Sequence, residues 1–158
     1  SKWCSEQAAS LASDAGCELV ILRLSSLYGA GYRQGLLPHL LTQARDNGCL
    51  RMEPPTEDSF DFLHLRDAAE VVRQCLRAEH GGLWNVGSGS VTTIREVAEV
   101  CAAQFGSSVE FNRTAARSPR VLNWVDDTKA RLELGHRNQV SLEEGIREIA
   151  HSLQMPPR

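Results

Sequence analysis

Three features of the sequence predict an α/β fold. Short, continuously apolar runs alternate along the chain with stretches of helical periodicity. Glycines such as Gly16, Gly48 and Gly106 stand directly after those helical stretches, where a helix stop is expected. Two capping boxes, Thr93-Ile94-Arg95-Glu96 and Ser141-Leu142-Glu143-Glu144, open further helical stretches.

The elements follow in order. Residues 1–15 are helical in composition and already under way at Ser1, with no cap and no preceding strand, which is what a piece of a longer protein would show. Residues 18–24 read as a buried strand, because the run is short and its core continuously apolar. Residues 25–35 form a loop with three glycines and two tyrosines. Residues 36–47 are a helix with Leu36, Leu37, Leu40, Leu41 and Ala44 on one face; Pro38 is harmless in its first turn. A short strand is expected over 49–52, a polar loop over 54–58 and a strand over 60–65. Residues 66–79 read as a helix with Ala69, Val72 and Leu76 on its apolar face. A strand over 83–87, a helix ending at Phe105 and a strand over 109–111 come next. Residues 114–123 are irregular and arginine-rich; Asp126 or Asp127 caps a short helix, and the last helix runs to about Leu153.

Composition excludes several classes. The 158 residues suffice for one domain and one core. Seventeen Lys and Arg against twenty Asp and Glu give a net charge of −3, which argues against a nucleic-acid partner. No apolar run approaches a membrane span, and no signal-peptide pattern opens the chain. The five scattered cysteines contain no C-x-x-C pair and read as reduced thiols of a cytoplasmic protein.

Several motifs carry chemistry. Ser1-Lys2-Trp3-Cys4-Ser5-Glu6 sets a lysine on a helix. Leu22-Arg23-Leu24-Ser25-Ser26-Leu27-Tyr28-Gly29 ends a buried strand, and ligands of open parallel sheets bind outside such strand ends. Gly35-Leu36-Leu37-Pro38 starts a helix whose free N–H groups and positive dipole end suit an anion. Phe60-Asp61-Phe62-Leu63-His64-Leu65-Arg66-Asp67 runs from strand into helix. His64, one residue before the helix start, reads as a hydrogen-bonded structural histidine and not as an acid/base. Trp84-Asn85-Val86-Gly87-Ser88-Gly89 is a strand and turn. Thr92 stands where a dinucleotide loop would need its third glycine. Arg117-Ser118-Pro119-Arg120, Trp124 and Asp127-Thr128-Lys129-Ala130 add local positive charge.

In this order, from Lys2 to Ile149, the motifs resemble the C-terminal half of the extended short-chain dehydrogenase/reductase family. The nearest branch is the NAD-dependent epimerase/dehydratases of nucleotide sugars. The resemblance implies part of a Rossmann-like parallel sheet plus the small substrate-binding lobe. Residues 1–158 would form one domain, without the N-terminal nucleotide-binding half. Lys2 would be the lysine of the family's Tyr-x-x-x-Lys helix, holding the cofactor ribose and lowering the tyrosine pKa; that tyrosine would precede Ser1. Leu24, Ser25 and Leu27 would meet the nicotinamide end, and Ser26, Tyr28, Leu36, Arg117 and Trp124 the substrate. Phe60 departs from the pattern, because the family frequently has a diphosphate-binding arginine there; Arg120 stands where an acidic residue is common.

The function implied is the substrate-binding part of an NAD(P)-dependent nucleotide-sugar epimerase/dehydratase, inactive as the isolated chain. NAD or NADP would serve the full-length enzyme, with none bound by this chain alone. Partners would be a nucleotide sugar and a second copy in a homodimer, with no nucleic acid, membrane or metal. The alternatives are a non-catalytic nucleotide-sugar-binding module and a self-associating structural fragment with an unprotected sheet edge.

Overall fold

The structure is a computed structural model and describes all residues except 15, 17, 33, 78–80, 113–119 and 155–158. Six helices and nine short strands alternate among the described residues, as an α/β sequence requires.

Two strand pairs lie at the centre. β1 (Val20–Leu24) runs parallel to β6 (Gly82–Val86), with Val20 opposite Gly82 and Leu24 opposite Val86. β2 (Ser26–Tyr28) runs parallel to β5 (Phe62–His64), with Ser26 opposite Phe62 and Tyr28 opposite His64. Away from them, β3 (Cys49–Met52) pairs in parallel with β8 (Ser108–Phe111). A fourth small sheet holds β4 (Ser59–Phe60) between antiparallel β7 (Thr92–Thr93) and parallel β9 (Leu122–Asn123).

The buried apolar residues form two clusters, where the chain length suggested one core. In the first, α2 (Leu36–Asn47) sets Leu37, Leu40, Leu41 and Ala44 against β3, α4 (Ile94–Ala103) and α6 (Leu142–Gln154). Those four positions repeat at helical spacing, and Gly48 ends the helix in the left-handed region at φ 66°. In the second, α3 (Leu65–Cys75) and α5 (Thr128–Glu133) cover Trp84 and Val86 of β6. The clusters meet at β5. Its side chains alternate, so Leu63 joins one cluster while Phe62 packs against the other.

Several expectations change in detail. The loop over 25–35 contains β2, and the run over 60–65 is interrupted at Asp61. α3 begins at Leu65 and ends at Cys75, and its buried face is Ala68, Val71 and Cys75. Val72 is 46% exposed and Leu76 82% exposed. Both apolar stripes are present in the sequence. The phase is set by buried Asp67, whose two carboxylate oxygens accept the Gln139 and Val140 N–H groups at 3.2 Å each. The Thr93 capping box forms in full. At Ser141 only the hydroxyl half forms, accepting the Glu144 N–H at 3.1 Å, because the Glu144 carboxylate turns to Arg66 at 3.0 Å. At α5 the N-cap is Asp127, but Asp126 supplies the side-chain bond, to the Thr128 N–H at 3.0 Å. Cys4, Cys49, Cys75 and Cys101 are free thiols, and burial raises the Cys101 thiol to about 12. Among the described residues no helix is long and apolar enough to cross a membrane.

Gly145 is the tightest point of the first cluster. A Cβ there would lie 2.5 Å from Tyr28 Cε2 and 2.8 Å from His64 Cδ2. Gly145→Ala is therefore expected to lower the unfolding free energy by about 1–3 kcal/mol despite the better helix propensity of alanine. Urea denaturation checks this, and an unchanged midpoint would contradict the packing.

Candidate functional site

β2, β4, β5 and the N-termini of α2 and α4 line a half-open cavity of about 500 Å³. The strand β2 brings Ser26, Leu27 and Tyr28 to it, and the following loop adds Tyr32, Gln34 and Gly35. Leu36, Leu37 and Pro38 come from the first turn of α2, Phe60 and Phe62 from β4 and β5, and Ile94 from the start of α4. The α2 N-terminus has Gly35 as its cap (φ 96°) and no side-chain bond to its free N–H groups, and Gly35 to Pro38 line the cavity.

Aromatic packing fixes one wall. The Phe60 and Phe62 rings lie 6.3 Å apart, and Tyr28 meets Phe62 edge-on at 6.2 Å and His64 edge-on at 5.1 Å. The Tyr28 hydroxyl donates to the Ser141 carbonyl at 3.2 Å, and burial and the surrounding carboxylates, Asp67 first, push its pKa upward. Tyr28 is thus a strut of the cavity wall, with an ionisation too unfavourable for acid/base work near neutrality. His64 caps α3: its Nδ1 accepts the Arg66 N–H at 3.2 Å, as expected of a structural histidine. Its Nε2 is buried without a hydrogen bond, 3.5 Å from a Glu148 oxygen, and burial lowers its pKa.

A polar junction lies beside the cavity at the carboxyl ends of β1 and β6. Asp61 is buried, and its Oδ1 accepts the Ser25 hydroxyl at 3.1 Å and the Ser88 N–H at 2.8 Å. Its Oδ2 has no partner and lies against Gly87, where a Cβ would overlap it. Buried His136 donates from Nε2 to the Gly87 carbonyl at 2.7 Å, so the turn after β6 is held from both sides.

The structure therefore brings Ser26, Leu27, Tyr28 and Leu36 to one cavity. Leu24 lies at the end of β1, 37% exposed, and Ser25 is engaged by Asp61. Lys2 is exposed at the start of α1 (Lys2–Asp14) and Trp124 is exposed after β9; neither lines the cavity. Arg117 lies outside the described residues. Sequence reasoning missed Tyr32, Gln34, Phe62 and Ile94 as lining residues. The i, i+2 spacing of Phe60 and Phe62 was the available signal, since such residues share one side of an extended strand. Among the described residues no cluster of His, Cys, Asp and Glu could hold a metal ion.

Comparison with known proteins shows the family and the fold. The sequence model of the NAD dependent epimerase/dehydratase family matches residues 1–87, more than half of the chain. The chain belongs to that family. The dTDP-L-rhamnose 4-epimerase of Burkholderia thailandensis is 30% identical over 139 residues, covering 83% of this chain and 38% of that protein. The dTDP-4-dehydro-6-deoxyglucose reductase of Escherichia coli is 24% identical over 150 residues, 91% of this chain and 48% of the relative. Among solved structures, UDP-glucose 4-epimerase from Thermotoga maritima superposes with a TM-score of 0.80 at 20% identity, covering 97% of this chain and 52% of that one. This likeness shows the fold. The chain thus spans less than half the length of these two curated relatives.

The burial of His64 has a pH consequence. Its pKa is lowered in the folded state, so the unfolded chain binds more protons in the window below the ordinary imidazole value. Stability is then expected to fall as pH drops through that window and to be flat above it. His64→Asn, which keeps a capping acceptor, should flatten the slope. Urea midpoints measured from pH 5 to 8 check this, and equal slopes for the two proteins would contradict it.

Proposed function

We propose that this chain is the substrate-facing part of an NAD(P)-dependent nucleotide-sugar epimerase or dehydratase. The observation that carries this reading is a half-open cavity lined by β2, the loop after it, Phe60, Phe62 and the starts of α2 and α4, beside the carboxyl ends of parallel β1 and β6, in a member of the epimerase/dehydratase family. Acting on nucleotide sugars is carried over from relatives such as the dTDP-L-rhamnose 4-epimerase.

Each side chain has a place in this reading. Ser26, Tyr28 and Leu36 form the substrate wall, with Arg117 and Trp124 assigned by resemblance to the nucleotide end. The nicotinamide of NAD(P) exchanges a hydride with a sugar carbon in this chemistry. The described residues fit one end of that group only: Leu24, exposed at the end of β1, and Leu27 offer it an apolar wall. The turn after β6 is no phosphate loop, since Gly87 is packed against Asp61 and Thr92 replaces the third glycine. Lys2 would hold the ribose hydroxyls and depress the pKa of a tyrosine one helical turn before it.

A binding module without turnover is the second reading, favoured by a cavity of about 500 Å³ lined by this chain's own residues. The exposed Trp3 and Leu11 on α1 support a homodimer formed through that helix.

Three outcomes are expected of the purified 158-residue chain. It should give no NAD turnover with any sugar nucleotide, and turnover would contradict the proposal. Calorimetry should detect a nucleotide sugar, and micromolar binding without NAD would favour the module reading. Sedimentation should give a dimer that Trp3→Glu weakens, and a clean monomer would remove α1 as the interface.

A further inference from the structure

His64, 2% exposed at the end of β5, faces three elements. From β2 the Tyr28 ring meets it edge-on at 5.1 Å. From α3 come Arg66 and Asp67, and from α6 Glu144 and Glu148, the charged groups that act on it. Its Nδ1 accepts the Arg66 N–H at 3.2 Å, which caps α3. An imidazole nitrogen that accepts carries no hydrogen, so the neutral ring bears its hydrogen on Nε2. That Nε2 has no hydrogen-bond partner among the described residues and lies 3.5 Å from Glu148 Oε2. The other Glu148 oxygen is taken by Arg66, which also reaches Glu144 at 3.0 Å.

A proton added to this ring goes to Nδ1. There its N–H would confront the Arg66 N–H, so the cap is lost. The same proton makes Nε2–H a charged donor opposite Glu148, in competition with Arg66 for that carboxylate. Little slack absorbs the change. The α6 backbone passes so close at Gly145 that a Cβ would lie 2.8 Å from His64 Cδ2 and 2.5 Å from Tyr28 Cε2. The Tyr28 hydroxyl donates to the Ser141 carbonyl just before α6. Asp67, in the first turn of α3, holds the Gln139 and Val140 N–H groups that lead into it. The first turns of both helices and the cavity wall at Tyr28 therefore share one set of contacts.

We propose that His64 is a proton-operated latch between α3 and α6 whose state is felt at the cavity through Tyr28. Neutral, it caps α3 and leaves Glu148 to Arg66. Protonated, it gives up the cap and draws Glu148 to itself. Acid thereby loosens the start of α3 and shifts one wall of the cavity. The latch needs no particular ligand in that cavity.

NMR titration of the 158-residue chain tests this. At about pH 8, where imidazole is neutral, the His64 side chain should show its hydrogen on Nε2. Burial lowers its pKa, so it should titrate below the ordinary imidazole value. In that same step the protection of the Arg66 amide against exchange should fall by about fivefold or more, as expected for a lost cap. The Tyr28 ring signals should move with it. Glu148→Gln removes the facing charge and should lower the His64 midpoint by about half a pH unit or more. His64→Asn keeps a capping acceptor and takes no proton, so the acid step at Arg66 and Tyr28 should vanish.

A hydrogen on Nδ1 near pH 8 overturns the latch. So do Arg66 or Tyr28 signals that fail to follow His64, an unchanged midpoint in Glu148→Gln, and an acid step that persists in His64→Asn. Unfolding before any step in the folded chain also overturns it. All of these leave the nucleotide-sugar reading standing, since no ligand enters the measurement.

Discussion

Three buried aspartates in one ten-residue segment hold this fold together. Asp58, Asp61 and Asp67 are each nearly inaccessible, and each accepts backbone N–H groups from a distant part of the chain. Asp58 takes the Val121 N–H at 2.9 Å, Asp61 the Ser88 N–H, and Asp67 those of Gln139 and Val140. A buried carboxylate is costly unless donors surround it, so each aspartate makes its partner segment obligatory. The segment itself reaches outward through its main chain as well, since the Asp58 carbonyl accepts the Ile94 N–H and the Asp61 N–H donates to the Asn123 carbonyl. Segments remote in sequence are thereby fixed around β4 and β5 before side-chain packing is counted.

The position of the cavity follows from that arrangement. β5 is the strand where the two hydrophobic clusters meet, and alternation sends Leu63 one way and Phe62 the other. The α2 N-terminus comes from the first cluster, and β2, lying beside β5, borders the second through Leu27. Where the two bodies approach along β2 and β5, small polar and aromatic groups leave a space of about 500 Å³. Asp61, one residue from both Phe60 and Phe62, ties that space to the strand ends at Ser25 and Ser88. Binding wall and strand-end geometry are in this way coupled through a single carboxylate.

Local rules were enough to read those elements in which one pattern dominated. The helix at 36–47 and the strand at 49–52 were legible to the residue, because a single apolar stripe ended at Gly48 and a short apolar run followed. α3 was misphased because two apolar stripes competed and the deciding group, buried Asp67, is polar. No pattern within 25–35 announces β2, whose pairing is supplied by residues 62–64. The candidate site divides in the same way. Ser26, Leu27 and Leu36 were singled out by the family resemblance, and general rules about strand ends and helix starts point to the same segments. Tyr32, Gln34 and Ile94 reach the cavity through tertiary placement alone, and no spacing in the sequence marks them.

The two sides of the site are held with unequal strength. Most of the cavity lining, from Tyr28, Leu36, Leu37, Phe62 and Ile94, is anchored by the first buried cluster, while Tyr32 and Gln34 lie on an exposed loop. α1, which carries Lys2, is tied to β1 by the exposed ion pair of Glu6 with Arg23 at 2.6 Å, and its Trp3 and Leu11 are exposed. Exposed ion pairs contribute little to orientation or stability, so the register of Lys2 relative to the strand ends needs further contacts to become fixed. Catalysis of hydride transfer tolerates only small errors in placement, whereas ligand binding tolerates more. Under the proposed function, the cavity is the better-held side of the site and Lys2 on α1 the less constrained one. Both proposed readings share that asymmetry, and they differ in whether another surface completes α1.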